Sequence, residues 1–307
     1  MKDYLMQFRD QVFGAAMSLY KRIFLSFLLL NILTGIISLL VFTPLVLKLM
    51  GWHFSDLVNQ QEMMAEMNKT ILDGGDPSAV FSELFSNAHP EYLLPMVVFG
   101  LLIYSWSFNL YYTLNDREVR SGNNGLSGIL KASFSRQILN IMSFSIVYYL
   151  LAITSLMIFL FAIGLLMSVS KFLGIIVGFF GFFFLLFFLI RFSLGPAAIV
   201  HGHMSLSQAF AFSYSKLSMK RAALLLLMGI VFLVVIGIVG SVAGLVVNLM
   251  LNKDNADPML YYGVSQIMST LMGAITGAFL FAGSSALYFR YSDDEAQDET
   301  SEHLLAD

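Results

Sequence analysis

The chain has 307 residues, of which 58% are hydrophobic and only 12% are charged, and it contains no cysteine. Soluble domains carry about 25% charged residues, and a single water-exposed fold of this length could not cover so much apolar surface. The composition therefore predicts an integral membrane protein and excludes disulfides and cysteine chemistry, while a net charge of −3 gives no basic footprint for nucleic acid.

Six stretches of the sequence are apolar over the length of about 20 residues that a membrane-spanning helix needs. They predict an all-α, polytopic helical bundle with six transmembrane helices in one membrane domain, residues 1–291, followed by an acidic, disordered cytoplasmic tail, residues 292–307. The third and fourth stretches are joined only by Ser170 and Lys171, which predicts a tight antiparallel hairpin. The stretches are Ile23–Met50, Leu93–Leu114, Ile138–Val169, Phe172–Phe192, Ala222–Leu251 and Tyr262–Tyr288.

Basic residues are distributed unequally over the segments that connect these stretches. Of the 17 lysines and arginines, all but four fall on the side of the N-terminus, the four being Lys48, Lys69, Lys171 and Lys253. Because loops rich in lysine and arginine stay in the cytoplasm, the bias predicts that both termini are cytoplasmic.

One long loop, residues 53–92, lies on the opposite side, with seven acidic residues against Lys69 alone. Its apolar residues recur at helical spacing before and after a break at Gly74–Gly75. Asp76–Pro77 is a typical helix start, with a capping side chain followed by proline. We therefore predict a two-helix lid on the bundle, with a docking surface or a gate as the alternative.

Two serine-rich segments, Gly125–Arg136 and Ser205–Lys216, align without gaps at an offset of 80 residues. Each precedes a predicted span, and a fainter third copy begins at Ser18. The pattern predicts a three-fold internal repeat, in which each unit is an amphipathic cytoplasmic interfacial helix followed by a helical hairpin. Ser127 and Ser207 are expected to cap these short helices. Chance similarity between two lightly basic loops is the alternative.

Residues that could carry chemistry are scarce. The predicted spans contain no Asp, Glu or His, which argues against proton- or sodium-coupled pumping and against intramembrane hydrolysis. The sequence also has neither a Walker loop nor a dinucleotide fingerprint. We therefore predict no catalytic, cofactor-binding or metal-ligating residue. The polar residues within the spans are expected to make interhelical hydrogen bonds, with a polar solute path as the alternative; they are chiefly Asn31, Asn109, Asn140, Asn248 and Gln266.

Small residues and aromatics add two expectations about packing. Three GxxxG motifs predict close approach of helices within the chain, and the phenylalanine run from Phe179 to Phe188 is expected to face lipid on one side. The motifs are Gly174–Gly178, Gly240–Gly244 and Gly273–Gly277.

His201 and His203 form the one closely spaced histidine pair. They follow Gly195–Pro196, where the fourth spanning helix should break. Two histidines can begin a metal site, but neither a carboxylate nor a third ligand is apparent near them in the sequence. We therefore interpret them as histidines of an interfacial turn.

The segment that leaves the fourth span carries a resemblance to a known family. Arg191-Phe-Ser-Leu-Gly-Pro-Ala197 is followed by Leu206-Ser-Gln-Ala209 and by the basic pair Lys220–Arg221. This pattern resembles the YciC-like bacterial membrane proteins and the membrane domain attached to some glycerophosphodiester phosphodiesterases, over about residues 93–290. The resemblance implies a six-span protein of the bacterial cytoplasmic membrane. It implies no catalytic residue, because the phosphodiesterase site belongs to a separate soluble domain, and the long acidic loop departs from the pattern.

Three functions remain open on this basis. The leading hypothesis is a non-enzymatic scaffold or accessory component whose partners are the lipid bilayer and another membrane protein. The alternative is a transporter or exporter of an apolar or lipid-like solute, which needs no intramembrane charge and which the repeat favours. The third is an enzyme that acts at the cytoplasmic interface through His201 or His203.

Overall fold

The computed structural model describes residues 13–52, 88–122 and 125–218, scattered residues between 221 and 245, and the helix backbone of residues 258–305, whose side chains it describes chiefly from 270 to 292. Every regular element in these ranges is helical, and none is a strand. The helices are α1 (Gly14–Met50), α2 (Leu93–Ser121), α3 (Leu126–Ser133), α4 (Gln137–Val169), α5 (Lys171–Ile190), α6 (Gly195–His201), α7 (Leu206–Lys216) and α8 (Pro258–Leu305), with a 3-10 turn at Pro90–Tyr92.

The described residues confirm the predicted all-helical class, and helices long and apolar enough to cross a membrane dominate them, as the prediction of a membrane protein requires. Only scattered residues of the predicted span Ala222–Leu251 are described, and residues 53–87 of the predicted lid lie outside the described residues. The count of six spans therefore stays a prediction. Five candidate spans are described: Gly14–Met50, Pro90–Ser121, Gln137–Val169, Lys171–His201 and Thr270–Ser292.

Several helices are longer than the apolar stretches that predicted them. Helix α2 continues past Leu114 to Ser121, and α8 continues to Leu305 through the acidic segment that was predicted to be disordered. Hydropathy places the end of a span where charged residues begin. A helix can continue past that point, because Glu, Gln, Arg and Ala are good helix formers. Neither glycine nor proline follows Gly283, so the backbone of this segment carries no helix breaker.

The chain divides into two compact units. In the smaller one, Asn31 Nδ2 donates to the Thr270 carbonyl at 3.2 Å, which is the interhelical hydrogen bond expected of an intramembrane asparagine. The Lys48 ammonium lies 5.4 Å from the centroid of the Tyr92 ring. The smaller unit comprises Leu28–Tyr104 and Gly237–Ala274, and the larger one comprises the remaining residues.

Within the larger unit, α4 and α5 form an antiparallel hairpin about a single linking residue. Ser170 is extended (φ −155°, ψ 115°) and its hydroxyl accepts a hydrogen bond from the Leu173 amide at 3.4 Å. Gly174 and Gly178 on α5 face Met167 and Ile163 on α4, where a Cβ would crowd the neighbouring side chain. Large apolar side chains of the hairpin lie on the protein surface, as expected of side chains that contact lipid. They include Phe161, Phe172, Phe179, Phe180 and Phe184.

The core of the larger unit surrounds the short helix α6. All seven residues of α6 are buried, and the helix packs against residues of α2, α4, α7 and α8. Gly195 allows this approach, because a Cβ there would overlap the Phe144 ring. Pro196 stands in the first turn of α6, where its missing amide hydrogen costs no helical bond. The predicted break at Gly195–Pro196 therefore produces a buried helix.

Candidate functional site

The two histidines of the sequence pair occupy different environments. His201 is the last residue of α6 and is only 1% exposed, so the expectation that it lies in an interfacial turn is wrong. His203 is exposed and has a positive φ of 51°, a conformation that few non-glycine residues adopt. The intervening Gly202 contacts the Tyr288 hydroxyl, which leaves no room for a side chain there. The pair therefore does not converge on one ligand.

His201 instead joins a chain of hydrogen-bonded polar groups that connects three helices and is buried at His201 and Ser285. Its Nδ1 lies 3.2 Å from Asp116 Oδ1, and its Nε2 lies 2.9 Å from Ser285 Oγ. Arg120 Nε donates to the same Asp116 oxygen at 2.7 Å, and Arg120 Nη2 donates to the His201 carbonyl at 2.9 Å. The expectation that no carboxylate lies near the histidines is therefore wrong, because the helix α2 that carries Asp116 extends beyond its apolar stretch.

The order carboxylate, imidazole, hydroxyl is also the order of a hydrolytic triad, so the surroundings of the hydroxyl decide its role. Asn115 Nδ2 donates to Ser285 Oγ at 2.8 Å, and Ser285 is 0% exposed. Because the Asp116 carboxylate can only accept, His201 Nδ1 carries the ring proton, and Nε2 of the neutral ring then accepts from the Ser285 hydroxyl. The Ser285 hydroxyl is therefore hydrogen-bonded on both sides and enclosed by protein. This arrangement connects helices to each other and leaves an acyl substrate no access to the hydroxyl.

Asp116 also lines a partly open cavity of about 430 Å³. Gln137 organises its wall, because its Nε2 lies 2.6 Å from His203 Nδ1 and donates to the Val200 carbonyl at 3.2 Å. The volume falls in the range of small-molecule sites, about 300–1,000 Å³. We call this space the polar cavity; its lining residues are Thr113, Asp116, Arg117, Ala132, Ser135, Arg136, Gln137, Val200 and His203.

Charge is unevenly compensated around the polar cavity. Asp116 is paired with Arg120, and the buried Glu118 lies 3.4 Å from Arg22. In the described part of the chain, the guanidinium groups of Arg117 and Arg136 have no hydrogen-bond or ion-pair partner. Within the described residues, the wall therefore carries two positive charges that no neighbouring carboxylate pairs with.

Sequence reasoning found the histidines but missed their partners. The polar run from Asn115 to Arg120 directly follows an apolar stretch and continues its helix, so its residues were candidates for contact with the histidines. Ser285 carried no signal. Asn109 was predicted to bond between helices, and it does donate to the Ser133 carbonyl. Among the described residues, no group of three or more His, Asp and Glu could hold a metal ion.

Comparisons with protein-family models, with curated proteins and with solved structures give no match for this chain. The resemblance to YciC-like proteins therefore stays a prediction. Any functional conclusion has to rest on the geometry of the buried polar chain and of the polar cavity, and on the membrane character of the helices.

Proposed function

We propose that the protein is a non-enzymatic component of a bacterial cytoplasmic membrane, a scaffold or accessory subunit with both termini in the cytoplasm. One observation carries the proposal: the most reactive-looking arrangement, Asp116–His201–Ser285, has its hydroxyl fully buried and already bonded to Asn115. Hydrogen bonds between buried polar side chains on different helices fix those helices relative to one another. In this reading the chain of bonds fixes α2, α6 and α8 as a platform for other membrane components.

A serine-directed covalent probe tests the non-enzymatic part of the proposal. The full-length protein in mild detergent is treated with a fluorophosphonate and digested, and modified peptides are identified by mass spectrometry. We expect no adduct on Ser285, and a similar lack of adduct on the neighbouring Ser284. An adduct on Ser285 that disappears in His201→Gln would show an activated nucleophile and would replace this proposal with a hydrolase.

Chemical crosslinking in native membranes tests the scaffold part. Because the chain has no cysteine, a single cysteine at the exposed Ser127 provides one defined attachment point for a short photo-crosslinker. We expect one membrane protein to be captured reproducibly in stoichiometric yield. A chain that stays monomeric and uncrosslinked in membranes, and also in mild detergent, contradicts a scaffold.

The same cysteine-free background tests the orientation. Ser127→Cys should be protected from a membrane-impermeant thiol reagent in intact cells, whereas Ser55→Cys in the acidic loop should be labelled. Labelling of Ser127→Cys in intact cells would reverse the topology, with loop 53–92 then on the cytoplasmic side.

Transport of an apolar or lipid-like solute is the second candidate, and the equivalent burial of Ser133 and Ser213 in α3 and α7 favours it. Both serines occupy the same place in the predicted repeat, and many carriers are built from repeats. Reconstituted vesicles carrying a fluorescent phospholipid in one leaflet would show accelerated movement between leaflets if this function holds. Movement at the rate of protein-free vesicles removes it.

A further inference from the structure

We infer that the polar cavity binds a phosphate-bearing anion, with Arg117 and Arg136 as its cationic ligands. The inference does not depend on the scaffold proposal, because it rests on the charge and shape of one site. Two guanidinium groups with no ion-pair partner among the described residues, an exposed histidine and a glutamine amide line about 430 Å³ of space. Guanidinium matches phosphate oxygens with paired, charge-assisted hydrogen bonds.

The neighbouring acidic residues do not neutralise this site. Among the described residues that line the cavity, only Asp116 carries a carboxylate, and its Oδ1 accepts from Arg120 at 2.7 Å and lies 3.2 Å from His201 Nδ1. Glu118 is buried and directed to Arg22. A net positive wall therefore remains for an anion.

Two further contacts orient side chains of the cavity wall that could bind an anion. Gln137 Nε2 lies 2.6 Å from His203 Nδ1, and if the amide donates there, the ring carries its proton on Nε2 and becomes a donor. The guanidinium of Arg117 lies where a Cβ on residue 128 would be, so Gly128 makes room for it. A glycine at that position lets the arginine approach α3 closely.

The position of the polar cavity along α2 suits a lipid headgroup. About 20 residues of helix cross the hydrocarbon core, so if α2 enters it near Leu93, Thr113 lies at the far boundary and Arg117 beyond it. Arg136 directly precedes α4. Basic pockets between membrane helices at this depth take the phosphate groups of anionic lipids, and a free phosphate anion offers the same chemistry.

Binding measurements on the full-length protein in mild detergent distinguish the two sources. The probes are dioctanoyl phosphatidylglycerol, the zwitterionic dioctanoyl phosphatidylcholine, and inorganic phosphate, with thermal shift and thermophoresis as readouts. Saturable binding of phosphatidylglycerol alone assigns the site to a lipid headgroup. Saturable binding of inorganic phosphate that competes with phosphatidylglycerol assigns it to the phosphate group itself.

Charge-neutral variants locate the binding. Arg136→Gln alters an exposed side chain, so folding should be unaffected, and affinity should fall about tenfold through loss of charge-assisted bonds. Gly128→Ala keeps the net charge but displaces the Arg117 guanidinium, and it should also weaken binding. Lys131→Gln removes an exposed cation on α3 that does not line the cavity, and its affinity should stay within about twofold of the parent.

Three results overturn the inference. The first is that none of the anionic probes binds. The second is that Arg136→Gln binds as well as the parent protein. The third is that Lys131→Gln loses as much affinity as Arg136→Gln, since binding would then reflect overall charge rather than this cavity.

Discussion

The short helices α3 and α7 align residue for residue, yet they are attached to the protein in different ways. At equivalent positions, Ile129 and Ala209 are both fully buried, and so are Ser133 and Ser213. Both helices therefore present the same face to the core, with the period of about 3.6 residues expected of an amphipathic helix. The difference lies in what each buried serine and each helix end contacts.

Side chains of α2 hold the first helix. Ser133 Oγ donates to the Leu130 carbonyl at 2.8 Å and accepts from Trp106 Nε1 at 3.1 Å. Asn109, also on α2, donates to the Ser133 carbonyl. None of these hydrogen bonds involves a lysine or arginine side chain. Arg136, which follows α3, lines the polar cavity instead.

Backbone groups of the α5–α6 turn hold the second helix. Ser213 Oγ donates to the Arg191 carbonyl at 2.7 Å and accepts from the Leu194 amide at 3.1 Å. The Arg191 guanidinium lies 3.5 Å from the centroid of the Tyr214 ring and donates to the Tyr214 and Leu217 carbonyls. The comparison teaches that side chains of one neighbouring helix hold α3, whereas α7 is held by backbone groups and by Arg191, a cation that lies outside the aligned segment.

Arg191→Ala should have the largest effect, because it removes two charge-assisted hydrogen bonds and a stacked ring contact at the end of α7. Hydrogen bonds to charged groups contribute about 1.5–3 kcal/mol each when buried, and Arg191 is partly exposed, so we expect a loss of about 2 kcal/mol. The measurement is reversible unfolding in mixed micelles. Lys131→Ala on α3 is the matched control and should change stability by less than about 0.5 kcal/mol. Equal effects would mean that Arg191 is not a structural cation.

Sequence reasoning recovered the features of this comparison that depend on pattern. The membrane class, the α4–α5 hairpin and the two aligned short helices follow from hydropathy and spacing. Ser127 and Ser207 are not the N-cap residues that the sequence predicted. The N-caps are Gly125 and Ser205, two residues earlier in each case. Serine is common both at caps and in first turns, and the pattern alone does not separate the two positions.

The contacts that distinguish the helices depend on pairings that the sequence leaves unmarked. Asp116 lies 85 residues from His201, and Asn115 lies 170 residues from Ser285. Such pairings are set by how helices pack, and a serine in an apolar run looks the same whether it faces lipid or a histidine. The polar cavity was missed for the same reason, since Arg117 and Arg136 looked like ordinary basic residues of a cytoplasmic loop.

Removing each of the two equivalent serine hydroxyls should lower the free energy of unfolding by a different amount. Ser213→Ala leaves the Leu194 amide unpaired in a buried turn, which we expect to cost about 2 kcal/mol. Ser133→Ala leaves the Trp106 indole unpaired, and a side chain can adjust where a backbone amide is fixed, so about 1 kcal/mol is expected. Unfolding in mixed micelles measures both losses.

Indole fluorescence gives this pair of variants an independent readout. In a Trp52→Phe background, which leaves Trp106 as the one tryptophan, Ser133→Ala should shift the emission maximum and Ser213→Ala should not. A larger stability loss for Ser133→Ala, or an emission shift in both variants, would contradict the assignment of separate attachments.

The smallest expected effect concerns the starts of the two helices. Ser205 donates through its amide and its hydroxyl to Gln208 Oε1, at 3.0 and 2.8 Å, whereas the first residue before α3 is Gly125, which has no side chain to cap with. Ser205→Ala should therefore cost about 1 kcal/mol, and Gly125→Ser should gain a few tenths, roughly the difference between serine and glycine caps. Because Gly125 has a negative φ of −60°, serine fits there without strain. If both substitutions change the unfolding free energy by the same amount and sign, the starts of α3 and α7 are energetically alike, and the distinction between them is confined to their C-terminal ends.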